Sequence, residues 1–332
     1  MTRLTSTLAA AVAFALLATG PAPANDSVAS MGAGGLVLEK SDGITMLSED
    51  LYVSAREVRV KYRFVNHTDE PIVTLVAFPM PDIEPGYMTD VGGRLEDPAH
   101  MVPFITWVED RAVWTEVQQT AVLDGVDVTA RLTALGLPLA PHAQSTWDAL
   151  RALSGPEVRA LEREGLVDVS ENDAGGVEWA MPAWTLRTIH YWRQYFHPGE
   201  VVEIEHLYAP AIGGTVMTMV GRSDDVPGAM DEYQARYCMD EAFVGAARRR
   251  AAAGESMAET WLDYVLTTGA NWSGPIRDFR MVVDKGSPDN LVSFCAEGVR
   301  RISPTQFEVR RTDYTPTRDL NVLILEGVRS SD

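Results

Sequence analysis

Trp184-Thr-Leu-Arg-Thr-Ile-His-Tyr-Trp-Arg-Gln-Tyr-Phe-His-Pro-Gly-Glu-Val-Val-Glu-Ile-Glu-His-Leu-Tyr-Ala209 reads as two β-strands around Pro198-Gly199. The first half is rich in aromatic and β-branched residues, and the second alternates apolar and polar. Pro followed by Gly suits a type II turn, with Gly at positive φ. The spacing predicts a hairpin in which Phe196 faces Val201 and Trp192 faces Glu205, closed by a four-residue loop or a bulge. Trp184, Leu186, His190, Trp192 and Phe196 then share one face. Ile189, Tyr191, Arg193 and Tyr195 share the other, so both faces are expected to be covered at least in part.

Outward from this segment, the chain continues to read as β-structure. Strands are expected at Gly35–Lys40, Ile44–Met46, Asp50–Ser54, Glu57–Val65, Ile72–Phe78, Phe104–Val108 and Ala112–Leu123. In Glu57–Val65, Val58, Val60, Tyr62 and Phe64 alternate with Arg59, Lys61 and Arg63, the pattern of a half-buried antiparallel strand. Composition changes at Asp124, and helices are expected at Val128–Leu135, Gln144–Leu153 and Pro156–Leu166, the last capped by Ser154. A further strand is expected at Val216–Gly221 and a helix at Asp231–Ala253. Strands resume at Trp261–Thr267, Arg277–Asp284, Leu291–Ala296, Gln306–Arg311 and Leu320–Leu325. The fold class is mainly β: an antiparallel, sandwich-like body with a helical insertion and one further helix. The expected organisation is a signal peptide (1–24), an N-terminal β body (25–123 and 177–222), a helical insertion (124–176) and a C-terminal helix plus β region (223–332).

Arg3, the apolar run Leu8–Leu17 and Ala22-Pro23-Ala24 form a charged start, a short hydrophobic core and an A-x-A cleavage site. The apolar run is too short to span a bilayer, so the expected mature chain starts at Asn25 and is periplasmic or secreted. The formal charge is −19, or −20 once Arg3 is removed. A chain this acidic repels nucleic acid and anionic lipid surfaces. Of only two cysteines, Cys238 and Cys295, an oxidising compartment makes one disulfide the simplest reading.

The sequence contains no phosphate-binding loop, dinucleotide fingerprint, metalloprotease motif, nucleophile elbow or calcium loop. His190, His197 and His206 fit no zinc spacing, and no metal or cofactor is expected. Asp82 with Glu84 and Asp224 with Asp225 are acidic pairs of a kind that 47 acidic residues produce by chance. Candidate ligand-binding residues are Asn271, Trp272, His190, Trp192 and His206. Gly269, Gly274 and Pro275 constrain the loop Thr267–Ile276, so Asn271 and Trp272 either stand at a sheet rim as a ligand platform or plug the end of the sandwich.

Gly34-Gly35-Leu36, Met46–Leu51, Val76–Asp82, His206-Leu207-Tyr208-Ala209-Pro210, Leu266–Ile276 and Ser293-Phe294-Cys295 resemble, in order, an uncharacterised family of bacterial exported proteins catalogued as domain of unknown function four-four-two-four. The resemblance covers most of the mature chain. It implies envelope location and a β-rich body, and supplies no catalytic residues. The expected function is a non-enzymatic periplasmic or secreted binding protein for an unknown envelope ligand or protein. The alternative is a cell-envelope hydrolase, acting on glycans, with its site near His190 and His206.

Overall fold

The computed structural model describes residues 25–32, 35–86, 89–90, 104–222 and 230–328. The leader expected at 1–24 lies outside these residues, as do Asp224 and Asp225. The chain forms three principal sheets. The largest has eight strands, in the order Arg300–Arg301, Gln306–Tyr314, Ile276–Asp284, Ile44–Ser54, Val58–Asn66, Val201–Tyr208, Phe104–Val108 and Arg111–Val113. A six-stranded sheet runs Val126–Asp127, Glu116–Leu123, Thr185–Phe196, Ile72–Pro79, Ser27–Gly32 and Gly35–Glu39. A five-stranded sheet runs Leu291–Phe294, Leu320–Gly327, Met257–Tyr264, Ile212–Thr215 and Thr89–Asp90.

One face of the large sheet packs against both smaller sheets. Phe64 meets Phe196 of the six-stranded sheet edge-on at 6.2 Å. Two residues earlier on the same strand, the Tyr62 hydroxyl lies 2.9 Å from that of Tyr264 in the five-stranded sheet. A single core therefore takes Val58, Val60, Tyr62 and Phe64 from the large sheet, Val76, Phe78, Trp192 and Phe196 from the second, and Leu262, Tyr264, Val322 and Ile324 from the third. The fold is mainly β and sandwich-like. Ile276–Asp284 lies parallel to Ile44–Ser54, with Met281 beside Leu51, so the C-terminal strands complete the sheet that the N-terminal strands begin.

The expected hairpin does not form. Thr185–Phe196 pairs with Ile72–Pro79 and Glu116–Leu123. Val201–Tyr208 pairs with Val58–Asn66 and Phe104–Val108, in the opposing sheet. The turn chemistry holds: Glu200 N donates to His197 O at 3.3 Å, and Gly199 has φ of 71°. This turn splays the strands, and the chain crosses from one layer to the other. Asn66 fastens the crossing, its Nδ2 donating to Phe196 O (2.9 Å) and its carbonyl accepting from Gly199 N (2.8 Å). Crossing turns the even-numbered side chains of both strands inward, from Leu186 to Phe196 and from Val202 to Tyr208. Ile189, Tyr191, Arg193 and Tyr195 point outward: Ile189 and Tyr191 are partly covered, as expected, and Arg193 and Tyr195 are exposed.

Other boundaries also move. Ile44–Ser54 is one strand with an irregularity between Met46 and Ser48. The strand expected at Val216–Gly221 lies earlier, at Ile212–Thr215. The helix expected at Asp231–Ala253 is two, Asp231–Tyr237 and Glu241–Ala252, broken where Cys238 adopts a left-handed φ of 50°. The Cys238–Cys295 disulfide ties the break to the end of Leu291–Phe294.

The helices Thr129–Ala134, Gln144–Arg151 and Gly155–Arg163 build a second, smaller core with Leu132, Leu150, Val158 and Leu161 around Trp184. Trp184 donates from Nε1 to Leu139 O at 2.7 Å. Because this core is separate from the main one, replacing 124–176 with a short Gly/Ser linker is expected to leave a β body that unfolds cooperatively, with Trp184 newly exposed. Gradual, non-cooperative denaturant unfolding of that variant would assign the segment to the main core.

Candidate binding site

Four of the five candidate residues, His190, Trp192, His206 and Trp272, are buried inside the sandwich, and Asn271 is half-buried. His190 and His206, expected in one hairpin, meet across the layers with Phe104 between them: the ring centroids lie 4.1 Å from His190 and 5.0 Å from His206. Trp192 packs edge-on to His206 at 5.4 Å and donates from Nε1 to Gln194 Oε1 at 3.2 Å. Trp272 is 3 % exposed, 4.4 Å from Phe64 by ring centroids, and donates from Nε1 to Asp26 O at 2.7 Å. Asn271 Nδ2 donates to Ser27 Oγ at 3.0 Å. The loop bearing both residues thus grips Asn25–Ser27. Gly274 constrains the loop through a positive φ of 75°, but Gly269 does not have one. Gly269 is small for another reason, since a Cβ there would stand 2.9 Å from Asn25 Nδ2.

Around this grip lies a fully buried polar cluster. His206 Nε2 lies 3.1 Å from Asp26 Oδ1, and Nδ1 lies 3.0 Å from Thr106 Oγ1. With Nε2–H donating to the carboxylate, Nδ1 accepts from the threonine hydroxyl. Burial raises the Asp26 pKa against the opposing pull of His206. Glu49 accepts from Asn25 Nδ2 at 3.1 Å. Burial, then repulsion from Asp26, pushes Glu49 up to about 8 against the lowering effect of the Asn25 amide. His206 and Asp26 are wholly enclosed, so they can meet a substrate only if the core opens.

The solvent-facing chemistry lies elsewhere, in a cleft of about 410 Å³ between the segment that follows Ile72–Pro79 and the five-stranded sheet. Among the described residues Asp82, Glu84, Asp263 and Asp319 line it with a single cation, Arg236, and Trp261 contributes an aromatic wall. Asp82 leaves the end of Ile72–Pro79 and is held by Arg187 Nε at 3.0 Å. Burial raises its pKa despite that guanidinium. Asp82 Oδ1 is enclosed and has no hydrogen-bond partner among the described residues. Asp263 accepts from Arg236 Nη2 (3.0 Å) and Asn321 Nδ2 (2.5 Å). Asp319 accepts from Thr267 N (3.1 Å) and Oγ1 (2.8 Å). Glu84 is exposed, and its carboxylate makes no hydrogen bond among the described residues. The helical insertion reaches this rim: His142 donates from Nε2 to Glu84 O at 2.6 Å. None of the five candidate residues lines the cleft.

A second cleft of about 470 Å³ lies beside the disulfide, over Phe279, Met281, Val309 and Tyr314. Its guanidinium groups are already engaged. Arg318 donates to the carbonyls of Ala235 and Arg236, and Arg311 to those of Arg310 and Glu297. Among the described residues four carboxylates line the first cleft against two, Glu297 and Asp319, in the second, so the first is the better candidate for a cationic ligand. The sequence carried one sign of it: Pro79, Pro81 and Pro85 hold Asp82 and Glu84 on an extended segment just past a strand.

No curated protein matches the sequence. Among solved structures, a candidate nutrient-binding protein of Legionella pneumophila is similar at 14% identity and a TM-score of 0.43, over 91% of this chain and 70% of that one. Likeness at that level establishes neither a shared ligand nor a shared site. The model of the family described as Domain of unknown function (DUF4424) matches residues 24–323, and the chain belongs to that family.

Proposed function

We propose that the protein is a non-enzymatic periplasmic or secreted binding protein whose ligand seats against Trp261 and carries a positive charge or several hydrogen-bond donors. The carrying observation is the excess of carboxylates among the described residues of an aromatic-walled cleft: Arg187 and Arg236 pair with Asp82 and Asp263, while Glu84 and Asp319 make no ion pair among the described residues. Such a wall attracts ammonium and guanidinium groups through its π face. The acidic chain as a whole steers cations toward it. The three engaged carboxylates, Asp82, Asp263 and Asp319, fix the shape of the cleft, and Glu84 supplies the free acceptor.

A thermal-shift panel of small amines, guanidines, carboxylates and neutral glycans tests this reading. Amines or guanidines are expected to raise the unfolding midpoint, and carboxylates to leave it unmoved. Glu84→Gln removes a charge with no described hydrogen bond, so the unliganded fold should be unaffected. Affinity for the best amine should fall roughly tenfold, the scale of one charged hydrogen bond. Stabilisation by carboxylates alone would reverse the assigned ligand chemistry.

A further inference from the structure

We infer that proteolytic removal of the leader before Asn25 creates a buried binding partner for Asp26 and Glu49: the new α-ammonium of Asn25, held by the loop Thr268–Trp272 as the keystone of the folded sandwich. The inference rests on the exported reading above and goes beyond the cleft. In the step itself, water adds across the Ala24–Asn25 peptide bond under an envelope endopeptidase. The C–N bond breaks, Ala24 leaves with a carboxylate, and the Asn25 nitrogen takes up protons to become an ammonium.

The structure holds residues 25–27 firmly at this point. Thr268 Oγ1 donates to Asn25 O (2.7 Å), Asn271 Nδ2 to Ser27 Oγ (3.0 Å) and Trp272 Nε1 to Asp26 O (2.7 Å). Asn25 and Asp26 are fully enclosed, and the absent side chain of Gly269 makes the room. Three acceptors nearby lack a hydrogen-bond partner among the described residues: Asn25 Oδ1, Asp26 Oδ2 and Glu49 Oε1. Buried unsatisfied carboxylate oxygens are costly, and two adjacent carboxylates are more so. The charged and titratable groups around them are His206, on Asp26, and the tyrosines Tyr62, Tyr264 and Tyr314. No lysine or arginine is paired with either carboxylate among the described residues. The Asn25 α-nitrogen is four bonds from its own Nδ2, so covalent geometry holds it within roughly 5 Å of an atom that already touches Glu49. An ammonium there supplies the missing donors and the missing positive charge together. Burial leaves Glu49 titrating near 8 without that cation, and pairing would bring it down into the ionised range.

The test compares the exported, processed protein with a chain made without a leader that begins with one extra Met before Asn25. Mass spectrometry of the processed protein should show Asn25 as its first residue; a start elsewhere overturns the inference while leaving the cleft proposal untouched. The processed chain is expected to unfold about 5–10 °C above the Met-extended one, the scale of a broken buried ion pair in a chain of this size. Glu49→Gln should remove most of that difference. Equal midpoints, or a difference that survives Glu49→Gln, would overturn it. A second readout needs no variant: in the native processed protein the Asn25 amine should react with cyanate at least about tenfold more slowly than in urea, as a group reached only through opening does. Equal rates would overturn the inference as well.

Discussion

Trp272→Ala is expected to destabilise the protein by about 3–5 kcal/mol, the scale of an aromatic-to-alanine change in a packed core. Three losses combine. The indole is enclosed against Phe64 and Phe196, with centroids at 4.4 and 6.4 Å, and alanine leaves a cavity between the two sheets. Its Nε1–H donates to Asp26 O, so the substitution strands a buried carbonyl. It also loosens the loop that grips Asn25–Ser27. Urea unfolding followed by circular dichroism measures the effect. A midpoint close to that of the unsubstituted protein would show that Trp272 is not part of the core and would return this loop to the ligand-platform reading.

Replacing Cys238 and Cys295 with serine should remove about 4 kcal/mol, the chain-entropy value for a bridge whose cysteines are 57 positions apart. The bridge fastens the end of Asp231–Tyr237, a two-turn helix, to the strand Leu291–Phe294. Arg236 stands two residues before Cys238 and pairs with Asp263 in the acidic cleft. Freeing that helix end should therefore weaken ligand affinity as well as stability, with Arg236 no longer held against its carboxylate. Denaturant unfolding with and without reductant checks the first effect, and titration of the best amine the second. Equal stability under both conditions would contradict the structural role of the bridge.

Much of the strand content could be read in the sequence because period-two alternation reports burial directly. Val58, Val60, Tyr62 and Phe64 point inward as expected, and so do Leu186, His190, Trp192 and Phe196. Alternation does not name a partner strand. The pattern of Val201–Tyr208 suits a neighbour in the same sheet and one across the core equally well, which is why the crossing at Pro198-Gly199 read as a hairpin. Ser27–Gly32 was missed for the opposite reason: its small residues carry no alternating pattern, and its strand forms because Ile72–Pro79 and Gly35–Glu39 offer ladders on both sides. The helix break at Cys238 has neither Gly nor Pro to mark it. The sign that was present is Asp240, whose carboxylate caps the second helix by accepting from Phe243 N at 2.7 Å. The cleft draws on residues from Asp82 to Asn321, which come together only once the sheet order is known. Proximity along the chain favoured histidines that the fold puts to use as core.

The central claim is that a cationic or donor-rich ligand seats against Trp261. A crystal structure with the amine or guanidine that stabilises the protein most would test it most directly. Ligand density is expected between Trp261, Glu84 and Asp263, with a nitrogen within hydrogen-bond reach of the Glu84 carboxylate. Density in the apolar cleft beside Cys238–Cys295, with the Trp261 cleft empty, would contradict it.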